Sequence, residues 1–295
     1  MVYILLDLTT GVPTMKRKEQ ILYQSEKEWL GTGKFTVATT TILGNQIRYA
    51  ITNSTDTNTL VTMVGGIPRD PDRRKKLPLI NKLYGLMAVK QVSHGVNSVL
   101  YNQPATGGSS GEWNSETIST RSETLVELIK QTGSLTKCSK HAIVGASAGA
   151  YMAVKVTDLL TGDNNKIEKL ILISPAAYPH EIEDVPYGKE FTRIISKPWD
   201  IANSPIFKRL EQFVCDGGSL IISFFEADDP PIPRYLQHHY CEFARKLIAQ
   251  NKNVQLITIP NVAHNFRRIN TPEKGNVVDN DSIRMTAEKF LKFIL

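Results

Sequence analysis

The chain has 295 residues, of which 41% are hydrophobic and 22% are charged, and its formal net charge is +6. These are the proportions of an ordinary globular protein with enough apolar residues for a sizeable core. No apolar run reaches the roughly 18 residues that a membrane span needs, and the N-terminus, MVYILLDLTT, lacks the basic lead-in of an export signal. We therefore expect a soluble, unexported, cytoplasmic protein.

The three cysteines support the same expectation. Cys138, Cys215 and Cys241 are an odd number and lack the spacing of metal ligands. Three reduced thiols are therefore favoured over a disulfide framework or a zinc site.

Strand-like and helix-like segments alternate along the chain. In chain order we predict strands over 34–42, 45–52, 59–64, 97–103, 141–145, 167–174, 219–225 and 253–259, the first two forming a hairpin. Helices are predicted from about 120, with Thr120 and Glu123 as a capping box, after the strand at 141–145, over 233–250 and over 281–295. The last helix has an apolar stripe of Ile283, Met285, Phe290, Leu291 and Ile294.

This alternation predicts an α/β domain with a mostly parallel sheet, helices on both faces and an antiparallel hairpin at one edge. We assign residues 1–33 to an N-terminal extension and residues 34–295 to the domain. Residues 178–205 break the alternation with prolines and mixed charge, which favours a lid or cap insertion.

Positive charge is concentrated in PRDPDRRKKLP, residues 68–78, which carries Arg69 and four basic residues at 73–76. The simpler interpretation is a solvated loop, and the alternative is a docking patch for an anionic partner. No nucleic-acid-binding motif accompanies the segment, so we do not expect nucleic acid as a partner.

The segment HAIVGASAGAYMAVKV, residues 141–156, places a serine between a predicted strand and a predicted helix. Gly145 and Gly149 allow a sharp turn there, which exposes the hydroxyl of Ser147 above the sheet. The amide of Ala148 begins the helix, where developing negative charge is stabilised. GASAG resembles the nucleophile elbow of the α/β-hydrolase family, and the resemblance extends over about residues 34–295.

A serine nucleophile needs a base, and the base needs an acid that orients it. His264, in TIPNVAHNF directly after the last predicted strand, is where the family places the base. Asp229, in FFEADDPPIP, resembles the family's acid by its spacing to the Ile-Pro pair that follows it. Asp228 and Glu226 remain alternatives for the acid, and a structural loop histidine remains the alternative for His264.

VGGIP, residues 64–68, resembles the family's His-Gly-x-Pro turn, with Gly65 in place of the histidine. The resemblance implies that the backbone amides of Ile67 and Ala148 form the oxyanion hole, although a plain glycine turn would also explain Gly65 and Gly66. YNQPATGGSSG, residues 101–111, is similar to the family's glycine-rich loop, with Asn102 where an aspartate is more usual. We expect Gly66, Asn102 and Tyr178 to contact substrate.

The resemblance implies a serine hydrolase that forms an acyl-enzyme on Ser147, with no metal or organic cofactor. A small-molecule or carrier-bound acyl substrate is expected, a carboxylic ester or thioester, and an anionic one if the basic segment lies at the site. Alternatives are a thioesterase or acyltransferase acting on a carrier-bound acyl group, an aminopeptidase-like amidase that holds an amine with Glu181, Glu183 or Asp184, and a catalytically silent receptor or scaffold.

Overall fold

The chain forms a central sheet between two layers of helices. The computed structural model describes residues 25–52, 54, 58–66, 70–160, 166–197, 199–226, 232–263, 266–268 and 278–295. The strands are β1 (Phe35–Ile42), β2 (Asn45–Thr52), β3 (Thr59–Val64), β4 (Asn97–Tyr101), β5 (Lys140–Ala146), β6 (Ile167–Ile173), β7 (Ser219–Phe225), β8 (Val254–Ile259), β9 (Val262–Ala263) and β10 (Arg267–Arg268). The helices are α1 (Glu26–Leu30), α2 (Pro71–Lys75), α3 (Lys82–Val92), α4 (Ile118–Thr136), α5 (Ala148–Leu159), α6 (Lys189–Ile195), α7 (Pro205–Cys215), α8 (Arg234–Ala249) and α9 (Asn280–Ile294).

The main sheet has eight strands in the order β1-β2-β4-β3-β5-β6-β7-β8. Strands β3 to β8 run parallel, whereas β2 pairs antiparallel with β1 and β4. The hairpin turns at Leu43 and Gly44, with φ values of 49° and 80°, as in the type I′ turn, whose positive φ at both central positions matches the twist of the strands. The predicted hairpin edge and parallel sheet are confirmed.

Side chains of neighbouring strand residues enter two separate apolar cores, one on each face of the sheet. Leu60 and Ile143 belong to the core beneath α4, α5, α7 and α8, and Val61 and Val144 belong to the core beneath α1, α3 and α9. Both faces are therefore covered, which explains why the central strands read as continuous apolar runs.

The N-cap of helix α4 lies three residues before the predicted one, Thr120. The N-cap is Thr117, whose hydroxyl accepts a hydrogen bond from the amide of Thr120 over 3.0 Å, while the Thr120 hydroxyl accepts from the Thr117 amide over 2.9 Å. The predicted capping box of Thr120 and Glu123 is wrong, because Thr120 is itself the N3 member of a box that Thr117 opens. In α9, Met285 is exposed, unlike the other four residues of the predicted stripe.

The described part of residues 178–205 lies between β6 and α7 and contains two 3-10 turns, His180–Ile182 and Ile201–Asn203, around α6. Tyr187 in this segment stacks on Trp113 and contacts Phe191, each at a ring-centroid distance of 4.7 Å. The segment is therefore packed on the domain, and its role as a lid stays a prediction.

The N-terminal extension is described from residue 25. Trp29 of α1 is buried, and a Cβ atom added at Gly85 would lie 2.6 Å from its ring. Glu26 forms an ion pair with Arg48 at 2.5 Å and accepts from the Leu79 amide at 2.8 Å. Helix α1 therefore packs directly on α3. In the described ranges, no helix has the length and apolar character that crossing a membrane requires.

Candidate active site

Ser147 occupies the turn between β5 and α5 with a strained backbone. Its φ and ψ are 54° and −123°, a conformation that costs a non-glycine residue on the order of 1–3 kcal/mol. The Ser147 amide donates to the carbonyl of Ile173 over 2.9 Å, and the Ser147 carbonyl accepts from the amides of Ala150 and Ala176 over 3.0 and 3.2 Å. Hydrogen bonds to β6 and α5 therefore hold the residue in this conformation.

The two glycines of GASAG are required by space. A Cβ atom at Gly145 would lie 2.7 Å from Cα of Ala150, and one at Gly149 would lie 2.5 Å from the carbonyl oxygens of Val64 and Gly65. Backbone atoms cannot move far enough to relieve such contacts. Helix α5 therefore approaches β3 and β5 this closely only because Gly145 and Gly149 have no side chains. The predicted strand-turn-helix geometry is present around Ser147.

A cavity of about 1030 Å³ opens beside this turn. Its wall includes Ala146, Ile173 and Phe225, the last residues of β5, β6 and β7, together with Ser147 and Ala148. The cavity thus lies at the carboxyl ends of parallel strands, where open α/β sheets bind ligands. Ser147 itself is partly exposed and lines the cavity.

The loop after β3 runs directly against the nucleophile. A Cβ atom at Gly66 would lie 2.9 Å from Cβ and 3.4 Å from Oγ of Ser147, whereas one at Gly65 would meet no atom within 4 Å. Ala148 is the first residue of α5, so its amide is one of the helix's unpaired N-terminal donors. Ile67, the other predicted oxyanion donor, lies outside the described residues.

Buried side chains that no sequence motif marked hold the loop after β3. The side-chain amide of Gln103 donates to the carbonyl of Gly65 over 2.7 Å, and the hydroxyl of Tyr84 donates to the carbonyl of Val64 over 3.1 Å. Arg121 donates to Oε1 of Gln103 over 3.4 Å. The only available signal was the position of Gln103, directly after Asn102 in the glycine-rich loop.

Arg121 is buried between aromatic rings. Its guanidinium carbon lies 4.9 Å from the ring centroid of Trp113 and 4.7 Å from that of Tyr187, and Nε lies 3.8 Å from Glu116. Burial lowers the pKa of Arg121, and the nearby Tyr187 and Glu116 oppose that shift. Arg74 contacts the Trp113 ring as well, at 3.7 Å. The basic segment is therefore anchored to the same aromatic cluster that surrounds Arg121.

The predicted base and acid, His264 and Asp229, lie outside the described residues, as does the alternative acid Asp228. Glu226 and Asn261, which lie close to them in the sequence, are joined by a hydrogen bond: the carboxylate of Glu226 accepts from the amide of Asn261 over 2.6 Å. Glu226, the other alternative acid, therefore already bonds a backbone amide. The roles of Asp229 and His264 stay predictions.

Described residues that follow Asp229 and His264 in the sequence line the cavity. Phe266, two positions after His264, lines the cavity and packs on Phe225 with a ring-centroid distance of 5.1 Å. Ile232 and Pro233, three and four positions after Asp229, line it as well.

The predicted substrate-contact residues separate into two groups. Gly66 and Tyr178 line the cavity. Asn102 is buried, is absent from the described cavity wall, and donates from its side-chain amide to the carbonyl of Leu77 over 3.2 Å. Its described contacts therefore hold the loops around the cavity.

Glu183, one of the acids that an aminopeptidase-like site would use, has other partners. Its carboxylate is 4% exposed, pairs with Lys155 and Arg209, and accepts from the hydroxyl of Tyr151 over 2.7 Å. Glu181 and Asp184 are exposed. Because its negative charge is already balanced, Glu183 is unsuited to holding a substrate amine.

Ser174, which no sequence motif marked either, follows β6 with a φ of 43°. It is fully buried and lines the cavity, and no described residue hydrogen-bonds its Oγ. Its amide donates to the carbonyl of Ser223 over 2.7 Å.

Comparison with known proteins finds similarity at the level of the fold. No family model and no curated protein matches the sequence. Est1E from Butyrivibrio proteoclasticus, solved with ferulic acid bound, is 14% identical with a TM-score of 0.61 over 87% of this chain and 97% of that one. XC6422 from Xanthomonas campestris, a serine hydrolase without a lid, is 12% identical with a TM-score of 0.54 over 88% and 92%.

An α/β serine hydrolase homologue from Coxiella burnetii is 14% identical, with a TM-score of 0.56 over 88% of this chain and 97% of that one. Together with the strand order, these similarities show that the chain has the α/β-hydrolase fold, as the sequence predicts.

Proposed function

We propose that the protein is a serine hydrolase that cleaves a carboxylic ester or thioester through an acyl-enzyme. The observation that carries the proposal is Ser147, a non-glycine residue held at φ 54° on a strand-to-helix turn that opens into a cavity of about 1030 Å³. A strained backbone that the surroundings enforce at the edge of a cavity is typical of a functional position.

In the proposed reaction, Oγ of Ser147 attacks the substrate carbonyl while His264 takes its proton, and Asp229 orients the imidazole. The amides of Ala148 and Ile67 hold the oxyanion of the tetrahedral intermediate. Collapse of the intermediate breaks the bond to the alcohol or thiol, which leaves with the proton from His264. Water then attacks the acyl-enzyme with the same base, releasing the carboxylic acid and restoring the serine.

Two observations on described residues support the assignment of the base and acid. The carboxyl ends of β5, β7 and β8 lie on one edge of the sheet, so the segments that follow all three can converge there. Phe266 and Ile232, close in sequence to His264 and Asp229, line the same cavity as Ser147.

Labelling with a fluorophosphonate probe tests the proposal without knowledge of the substrate. The wild type should react, while Ser147→Ala and His264→Ala should not, with folding verified by circular dichroism. Asp229→Asn should react much more slowly than the wild type and Asp228→Asn at about the wild-type rate, because only a correctly placed acid fixes the histidine tautomer. A folded wild type that does not react, or one labelled at another residue, would overturn the proposal.

A further inference from the structure

The charged residues in the described part of the cavity wall are all cationic. Arg73 and Lys82 line the cavity, and none of the described residues of the wall is an aspartate or a glutamate. Most of the remaining wall is apolar, with residues such as Met63, Leu100 and Phe225. Because such surroundings screen charge poorly, a cation at their edge attracts an anion more strongly than it would in open solvent.

Lys82 is the better placed of the two cations. It is half-buried at the start of α3, and no carboxylate in the described part of the chain pairs with its ammonium group. Arg73 is more exposed and lies 3.8 Å from Asp70, an exposed pair that contributes little and exchanges easily. Among the described residues, the cavity wall therefore has one cation without a carboxylate partner, Lys82, and a second, Arg73, whose exposed pair with Asp70 a ligand can replace.

We infer that the substrate carries an anionic group, a carboxylate or a phosphate, that pairs with Lys82 and then with Arg73. This inference rests on the proposed hydrolase function and names the substrate class for it. The group belongs either to the acyl part or to the leaving group. An anion on either part would supply the counter-charge that the described wall lacks, and a neutral ester of the same size would not.

Two matched substrate pairs distinguish the positions of the anion. Mono-4-nitrophenyl glutarate and 4-nitrophenyl pentanoate differ by a carboxylate on the acyl part, and butyryl-coenzyme A and S-butyrylpantetheine differ by the phosphate-bearing nucleotide part of the leaving group. The wild type should prefer the anionic member of at least one pair in kcat/KM. Lys82→Met should reduce that preference about three- to tenfold, and high salt should reduce it in the wild type.

Lys75→Met is the matched control, because Lys75 is exposed, belongs to the same short helix as Arg73 and is absent from the described wall. It should retain the wild-type preference. An equal preference in the wild type and Lys82→Met, or no preference for an anion in either pair, would overturn the inference.

A second readout does not depend on turnover. Monomethyl glutarate should protect Ser147 from the fluorophosphonate better than dimethyl glutarate does, and Lys82→Met should remove the difference. If Ser147 does not react with the probe at all, the hydrolase proposal fails separately, and calorimetry with monomethyl glutarate then tests the anion site alone. Equal binding to the wild type and Lys82→Met would overturn the inference in that case too.

Discussion

The side-chain amide of Gln103 lies 2.7 Å from the carbonyl oxygen of Gly65 and donates a hydrogen bond to it. Gly65 directly precedes Gly66, whose missing side chain lets the loop pass against Ser147. Arg121 in turn donates to Oε1 of Gln103. A buried chain of hydrogen bonds therefore connects helix α4 to the loop that the proposed mechanism uses to stabilise the oxyanion.

Replacing Gln103 with methionine should slow acylation of Ser147. Methionine fills a similar volume but cannot donate, so the carbonyl of Gly65 loses its partner and the loop after β3 keeps the support of Tyr84 but loses that of Gln103. We expect a fluorophosphonate labelling rate about tenfold lower and a loss of unfolding free energy of about 1–2 kcal/mol. Labelling kinetics and urea unfolding measure the two effects.

Gln131→Met is the control, because Gln131 also uses its side chain in a hydrogen bond, to Thr40 over 2.9 Å, but is absent from the described cavity wall. It should leave the labelling rate unchanged. If Gln103→Met lowers stability and labels at the wild-type rate, Gln103 has a structural role only.

Adjacent glycines should respond very differently to alanine. The new Cβ of Gly66→Ala would lie 2.9 Å from Cβ of Ser147, whereas that of Gly65→Ala would meet nothing within 4 Å. Misplacing a reacting group by about 1 Å can cost roughly 100-fold in rate. We therefore expect Gly66→Ala to lower the rate of fluorophosphonate labelling by about that factor. Gly65→Ala should retain far more activity, and similar labelling rates for the two variants would contradict the close approach seen here.

Much of the fold could be predicted because strand periodicity and turn chemistry are local. The hairpin at Leu43 and Gly44 and the turn at Ser147 are each specified by a few adjacent residues. The start of α4 was missed because Thr117 and Thr120 are both competent caps. Local sequence alone does not choose between them.

The candidate site was predictable only in part, for a related reason. GASAG marks Ser147 by its own spacing, but Gln103 and Arg121 become relevant only through contacts made across the fold. Likewise, nothing in the local sequence indicates that the carboxylate of Glu183 has partners. Its partners Tyr151, Lys155 and Arg209 are 26 to 32 residues away.

Two replacements of Ser147 should distinguish the loss of its hydroxyl from the relief of its backbone strain. Ser147→Ala and Ser147→Gly both remove the hydroxyl and should both abolish labelling. Glycine, however, adopts the observed φ of 54° without a clash of its side chain. We expect Ser147→Gly to be about 1 kcal/mol more stable than Ser147→Ala in urea unfolding. Equal stability would show that the turn imposes no strain on a side-chain-bearing residue.

Glu183 should make the unfolding free energy depend on pH in the acid range. Burial tends to raise the pKa of this carboxyl, but hydrogen bonds from Arg209, Lys155 and Tyr151 outweigh it and lower the pKa to about 2. A carboxyl whose pKa is lower in the folded state stabilises the protein above its unfolded pKa, near 4.5. That contribution should decline as the pH falls from about 4.5 to about 2.

Glu183→Gln tests this at two levels. At neutral pH it leaves Lys155 and Arg209 without their shared counter-charge, which should cost about 3 kcal/mol of unfolding free energy. Below pH 4.5 its stability should fall less steeply than that of the wild type, since the titrating group is gone. Glu190→Gln, which removes an exposed partner of Arg193, should leave urea unfolding unchanged. Parallel acid profiles for Glu183→Gln and the wild type would show that Glu183 does not govern the acid response.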